Sequence, residues 1–258
     1  MQFLVLGPLQ LTDGDDKTAV SAPRLQQLIA LLLMARGDAL PLTALAGELW
    51  PDGPPSTADT TIRTYVHELR KLLPGDTDRL STGGSGYRLT VRREDVDAFV
   101  FEGLAESART LMRGGEEPDR LHHAADLLRQ ALALWRGHAF AGVPTGPQLD
   151  LHLAALNAKW LRAAQLRIHL DLLLGSHRDL IGELKGLVCE FPLDDRFLAQ
   201  LMVALHRCGR RGEALRAYRQ HQRILHAELG AAPTPRLRRL CGRILSEECS
   251  APVDALLC

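Results

Sequence analysis

Seven consecutive blocks of apolar residues at helical spacing fill the chain from Val96 to about residue 247, and no strand pattern interrupts them. They cover residues 97–113, 119–135, 147–174, 177–190, 195–208, 211–229 and 234–247. Turn signals separate most of them, at Gly114-Gly115, Gly137, Gly142 to Pro147, Gly175, Pro192, Gly209 and Gly230 to Pro235. Short turns between successive helices force antiparallel pairs, which predicts an all-α helical-repeat array over 96–247. The clearest unit runs from Leu198 to Pro233, where Leu205, Gly209, Gly212, Ala214, Leu215 and Tyr218 precede the closing proline in a tetratricopeptide-like pattern. Gly212 and Ala214 are expected to let paired helices approach, with Tyr218 filling the gap. Residues 248–258 are expected to form a frayed or loosely docked tail.

The first 95 residues follow different periods. Phe3 to Leu6 and Leu9 to Thr12 read as short strands about the Gly7-Pro8 turn, with a third strand expected near Ala19-Val20. Pro23 opens a helix whose Leu25, Leu28, Ile29, Leu32 and Leu33 lie on one face, and Gly37 is expected to cap it. A second helix is predicted over Thr43 to Trp50, stopped by Pro51. Ser56 is the expected N-cap of a third, in a box with Asp59, which ends near Leu73 before Pro74-Gly75. Leu80 to Thr82 and Tyr87 to Val91 read as a hairpin about Gly83-Gly84-Ser85-Gly86. A strand platform, two helices, an exposed helix and a Gly-rich hairpin follow one another in the order of a winged helix. The fold class predicted is therefore an α+β winged-helix domain over 1–95 followed by an all-α array.

Charge narrows the class of partner. The 258 residues include 31 basic and 31 acidic ones, so a uniformly basic nucleic-acid coat and a polybasic membrane binder are excluded, while a local basic patch is not. The five cysteines, at 189, 208, 241, 249 and 258, are odd in number and contain no C-x-x-C, which fits reduced thiols in a cytoplasmic protein. The longest uninterrupted apolar run, Leu28 to Ala35, is eight residues, well short of the roughly 20 that span a bilayer.

The helix over 57–73 carries the most specific signal. At about 100° per residue, Ala58, Ile62, Tyr65, Val66, Leu69, Leu72 and Leu73 share one face. Thr60, Thr64, His67 and Lys71 share the opposite one, with Arg63 and Arg70 on its margin and Glu68 to one side. Thr60, Arg63, Thr64, His67, Arg70 and Lys71 can all donate hydrogen bonds, which suits base edges and phosphates of a major groove. From Ser56 to Arg93 seven basic residues face four acidic ones, whereas over 1–95 ten face twelve, so positive charge is concentrated here. An amphipathic helix with a mixed polar face, taken alone, more often binds nothing; the order of elements around it is what points to DNA. Ser85 and Arg88 are candidate wing contacts, with a solvated turn as the other reading.

Phe3-Leu4-Val5-Leu6-Gly7-Pro8-Leu9, Leu49-Trp50-Pro51, Thr64-Tyr65-Val66-His67-Glu68-Leu69-Arg70-Lys71-Leu72 and Gly86-Tyr87-Arg88-Leu89 resemble the Streptomyces antibiotic regulatory protein family. So do Ala131 to Gly137, Phe191-Pro192-Leu193-Asp194, Gln200 to Leu205 and Gly209 to Tyr218, which extends the resemblance to about residue 247. The resemblance implies an OmpR-type winged helix joined to a bacterial transcriptional activation domain. It further implies activation of secondary-metabolite gene clusters through direct repeats in double-stranded DNA, a homodimer on DNA and recruitment of RNA polymerase holoenzyme. By position, Thr60, Arg63, Thr64 and His67 match the family's recognition helix, and Arg70 and Lys71 its backbone-contacting end. Glu68 departs from the basic or small residue that members often carry there. The chain resembles the shorter members, and no G-x-x-x-x-G-K-[ST] or phosphoreceiver pattern occurs in it.

No other chemistry competes. No two of the ten histidines stand at i, i+3 or i, i+4, so no helical metal face is expected, and no cofactor or catalytic constellation is read. Trp50, Trp135 and Trp160 are expected in the core. The Arg-rich stretches 207–223 and 236–243 read as solvated faces, or as docking sites for an acidic protein. A winged-helix repressor, a small-molecule-responsive sensor and a helical-repeat adaptor remain as alternatives.

Overall fold

The computed structural model of the chain describes residues 1–14, 16–18 (backbone only), 20–73, 79–84, 86–115 and 117–246. Ala19, the Pro74-Gly75 helix stop, Ser85 and the tail lie outside the described residues. The chain divides into two compact units, Met1–Glu106 with Gln130–Leu161 and Ser107–Arg129 with Arg162–Cys258.

The first unit opens on an antiparallel sheet of β1 (Gln2–Leu4), β2 (Gln10–Asp13) and β3 (Asp16–Thr18) in that order, with Phe3 opposite Leu11. Both side chains are fully buried, as the alternation of a half-buried sheet requires. Residues 136–141, read from sequence only as a turn, run alongside this sheet. The Arg136 amide donates to Leu6 O at 2.7 Å, Phe140 to Val5 O at 2.8 Å and Ala141 to Gly7 O at 3.1 Å. Gly7 is needed there, since its φ is 153° and a Cβ would lie 3.0 Å from that of Arg136.

Next come α1 (Pro23–Met34), β4 (Leu40–Pro41), α2 (Leu42–Leu49) and α3 (Ala58–Leu72), then the hairpin of β5 (Leu80–Gly83) and β6 (Gly86–Leu89). Two boundaries differ from expectation. α1 ends at Met34, and the first left-handed residue is Arg36 at φ 54°, ahead of Gly37. Its guanidinium compensates by pairing with Glu102 at 2.6 Å and lying 4.4 Å from the Phe99 ring centre. The N-cap of α3 is Thr57, not Ser56, and makes no side-chain capping bond, so the expected box does not form. β4 is an element the sequence did not announce. It pairs with β6, Leu40 opposite Tyr87 and Pro41 opposite Gly86, giving a sheet in the order β4-β6-β5. A Cβ on Gly86 would lie 1.9 Å from Leu40 O, so the pairing demands glycine.

Of the buried carboxylates in this unit, Asp97 and Glu48 tie distant backbone segments to it. Asp97, at the start of α4 (Asp97–Arg113), accepts the amides of Val5 and Leu6 at 2.8 and 3.1 Å. Burial pushes its carboxyl above the usual range, against those hydrogen bonds and the nearby Arg136. Glu48 of α2, 1% exposed, accepts the amides of Gly146, Gln148 and Leu149 at 2.7, 2.8 and 3.2 Å. It thereby caps the start of α6 (Pro147–Leu173), whose own first-turn carboxylate, Asp150, is exposed. α5 (Pro118–Ala133) precedes α6, and Phe101, Trp135 and Trp160 stack edge-on with centroids 5.4 and 6.2 Å apart. The division between the units falls within α4, α5 and α6.

The second unit continues with α7 (His177–Glu190), α8 (Asp195–Arg207), α9 (Arg211–Leu229) and α10 (Pro235–Ser246), close to the expected blocks. α8 is its spine, buried from Phe197 through Leu205. Asp194 caps it by accepting the amides of Arg196 and Phe197 at 2.8 and 3.0 Å. α9 closes on Gly230 in the left-handed conformation at φ 61°. Ala214 is buried as expected, whereas Gly212 is exposed and takes no part in close helix packing. Arg167 pairs with Asp171 at 3.1 Å and with Glu183, and Arg129 also reaches Asp171.

Candidate nucleic-acid interface

α3 is amphipathic because its apolar residues recur every three or four positions, and the structure buries that stripe. Ala58, Ile62, Val66 and Leu69 are buried along it, Leu73 follows, and Tyr65 and Leu72 are half-buried. The other side is open to solvent: Thr60, Arg63, Thr64, His67 and Lys71 are all exposed. Asp59 in the first turn and Arg70 with Lys71 in the last complement the helix dipole.

The polar side chains differ in what they still offer. Thr64 donates its hydroxyl proton to Thr60 O at 3.1 Å, so its hydroxyl oxygen is left to accept. Arg63 has no hydrogen-bond or ion-pair partner among the described residues, and its fork is available whole. Lys71 pairs with Glu68 at 2.8 Å, one turn back. The hydrogen bond from Lys71, with the charges of Lys71 and His67, holds the Glu68 carboxyl below its usual range. Arg70 is half-buried: Nε and Nη2 donate to Leu80 O at 3.2 and 3.1 Å, and Nη2 to Thr82 Oγ1 at 3.2 Å.

The hairpin completes the surface. Arg88 stands opposite Ser81 and points outward from β6, between buried Tyr87 and Leu89. Ser85, expected as a contact at the tip, lies outside the described residues. The structure thus brings the exposed face of α3 and the hairpin together through Arg70. Thr82 and the Glu68–Lys71 pair belong to this surface and were not singled out from sequence. The i, i+3 spacing of Glu68 and Lys71 was the available signal for the pair, whereas nothing in the local sequence announces Thr82. Among the described residues no group of three or more His, Cys, Asp or Glu could hold a metal, and no helix is long and apolar enough to cross a membrane.

Comparison with known proteins places this geometry in context. Residues 96–245 match the bacterial transcriptional activator domain family. The chain is 35% identical to the regulatory protein DnrI of Streptomyces peucetius over 95% of its own length and 92% of that protein. It is 38% identical to the regulatory protein AfsR of Streptomyces griseus, but there spans only 26% of the longer protein. The transcriptional regulator RedD of Streptomyces coelicolor is 31% identical, over 96% of this chain and 71% of that one. Among solved structures, Mycobacterium tuberculosis EmbR in complex with a low-affinity phosphopeptide superposes with a TM-score of 0.90 at 28% identity, covering 99% of this chain and 68% of that one. A largely helical chain with two small antiparallel sheets is therefore shared with that structure.

Proposed function

The chain belongs to the Streptomyces antibiotic regulatory protein family of transcriptional activators, and on that premise we propose that it binds promoter DNA sequence-specifically and activates a secondary-metabolite gene cluster. The observation that carries this reading is the donor-rich face of α3, exposed from Thr60 to Lys71 beside an outward Arg88. Residues 1–95 act as an OmpR-type winged helix. α3 lies in the major groove, where Arg63 reads guanine and Thr60, Thr64 and His67 meet neighbouring base edges. Lys71 and the hairpin, through Arg88 and Ser85, meet the backbone. Residues 96–247 form the tetratricopeptide-like activation part. Two protomers occupy direct repeats head to tail, in the cytoplasm, and recruit RNA polymerase holoenzyme.

The test begins with duplexes selected from random-sequence DNA by the full chain. Selection should return a direct repeat, and run-off transcription from a promoter carrying it should rise when the chain joins RNA polymerase holoenzyme. Arg63→Ala should weaken binding to the selected site by about 1–3 kcal/mol while sparing random duplex. Selection that enriches no sequence, or an unchanged ratio of specific to random binding in Arg63→Ala, would refute base reading through α3. Transcription that falls on addition of the chain would make it a repressor.

A further inference from the structure

Arg70 is the one basic residue of α3 whose guanidinium is held by another element. Both of its acceptors, Leu80 O and Thr82 Oγ1, lie on β5. Among the described residues β5 is an edge strand, because the order β4-β6-β5 gives it a neighbour on the β6 side alone. The two sides of the hairpin are therefore secured differently. β6 is held by β4 through a backbone pairing so close that Gly86 admits no Cβ. β5 is held to α3 by the guanidinium fork of Arg70.

We infer that Arg70 is a positioning residue: it sets the hairpin against α3 so that Arg88 and the exposed helix face engage one duplex together, and it does not itself neutralise a phosphate. Its effect on DNA rests on the reading proposed above, whereas its hold on the hairpin stands on the geometry alone. A phosphate contact needs an outward cation, which is how Arg63 and Lys71 are placed. Arg70 is half-buried and directs two of its three nitrogens at β5. Arginine suits this task because its planar fork spans a carbonyl and a hydroxyl at once. A lysine keeps the charge but has a single ammonium nitrogen at the end of a flexible stem.

The test uses the full chain carrying Arg70→Ala, Arg70→Lys, Arg88→Ala, Thr82→Val or the Arg70→Ala/Arg88→Ala pair. Amide hydrogen exchange over residues 80–83 and 86–89 is followed without DNA. Fluorescence anisotropy then measures affinity for the duplex selected by the wild-type chain, across a salt series. Both Arg70 variants should raise exchange in 80–83 several-fold, and Thr82→Val by less. Both should lower affinity by a similar factor, and Arg70→Ala should add little to Arg88→Ala, since the two act through one hairpin. Unchanged exchange in Arg70→Ala overturns the inference. So does full binding by Arg70→Lys with Arg70→Ala additive to Arg88→Ala and a salt slope flatter by about one unit, the signature of a direct phosphate contact. A wild-type chain with no duplex preference would sink the DNA reading but not the clamp, which the exchange data decide on their own.

Discussion

Glu68 and Lys71 stand one helical turn apart on the face proposed to meet DNA, and their pairing sets how much positive charge that face presents. An exposed pair of this kind contributes little to stability, so its larger consequence is for binding. Glu68→Gln should release Lys71, tighten binding to every duplex and steepen the salt dependence by about one unit, measured by anisotropy from low to moderate salt. Lys71→Ala should do the reverse. A second residue-scale prediction concerns Asp195 at the head of α8, which accepts the Thr234 amide at 3.0 Å and contacts His221 Nε2 at 2.5 Å. Burial raises its carboxyl, but the hydrogen bonds from Thr234 and His221 outweigh it and hold the group below its usual range. A lowered folded value contributes stability above the ordinary aspartate range of about 3.9, and that stability disappears as the pH falls through the folded value. Melting temperatures of Asp195→Asn should therefore lie below wild type at neutral pH and converge on it in acid. The exposed site residues were legible because 100° spacing alone separates Thr60, Arg63, Thr64, His67 and Lys71 from the apolar stripe. Arg70 lies on the margin of that face, and its partners are a carbonyl and a hydroxyl ten and twelve residues on, so only tertiary closure decides where it points.

At the scale of elements, the seven helical blocks were readable to within about two residues, because a glycine or proline stop follows most of them and most carry apolar residues at helical spacing, the long α6 being the weakest in that period. Two-residue β4 was not, since a strand that short has no period and exists only because β6 lies beside it. The run over 136–141 escaped for a related reason. Gly137 within it and Gly142 just after it read as turns, and its backbone bonds go to residues about 130 positions earlier. The N-terminus of α6 is the element-scale case with the sharpest consequence. Its first amides are satisfied by Glu48 of α2, and nothing in the spacing of α2 announces partners about 100 residues further on. Glu48→Ala leaves those amides buried and unpaired, and urea unfolding should show a loss of about 2–4 kcal/mol. Glu48→Gln retains one acceptor oxygen and should lose less. Wild-type stability in Glu48→Ala would mean that the start of α6 finds other partners.

For the whole molecule, the question is whether the part proposed to read DNA can exist without the part that follows it. The change in sequence period at residue 95 suggests a cut there, and the activator-domain match begins at 96. The first compact unit nevertheless takes in Gln130–Leu161 as well as Met1–Glu106. A fragment of residues 1–95 would lose Asp97, leaving the amides of Val5 and Leu6 without their acceptor. It would also lose the 136–141 run that pairs with residues 5–7, and the amides that surround the buried carboxylate of Glu48. Each of these removes one partner of a buried polar pair, which costs more than the pair itself contributes. With stabilities of small domains of order 5–15 kcal/mol, losing all three together should abolish cooperative folding. The 1–95 fragment should show no sharp thermal transition by circular dichroism and no preference for the selected duplex, whereas residues 1–161 retain every partner named and should melt cooperatively. A cooperative 1–95 fragment that binds the selected duplex as tightly as the full chain would show that residues 1–95 carry their own core, and that Asp97 and Glu48 serve only to attach what comes after.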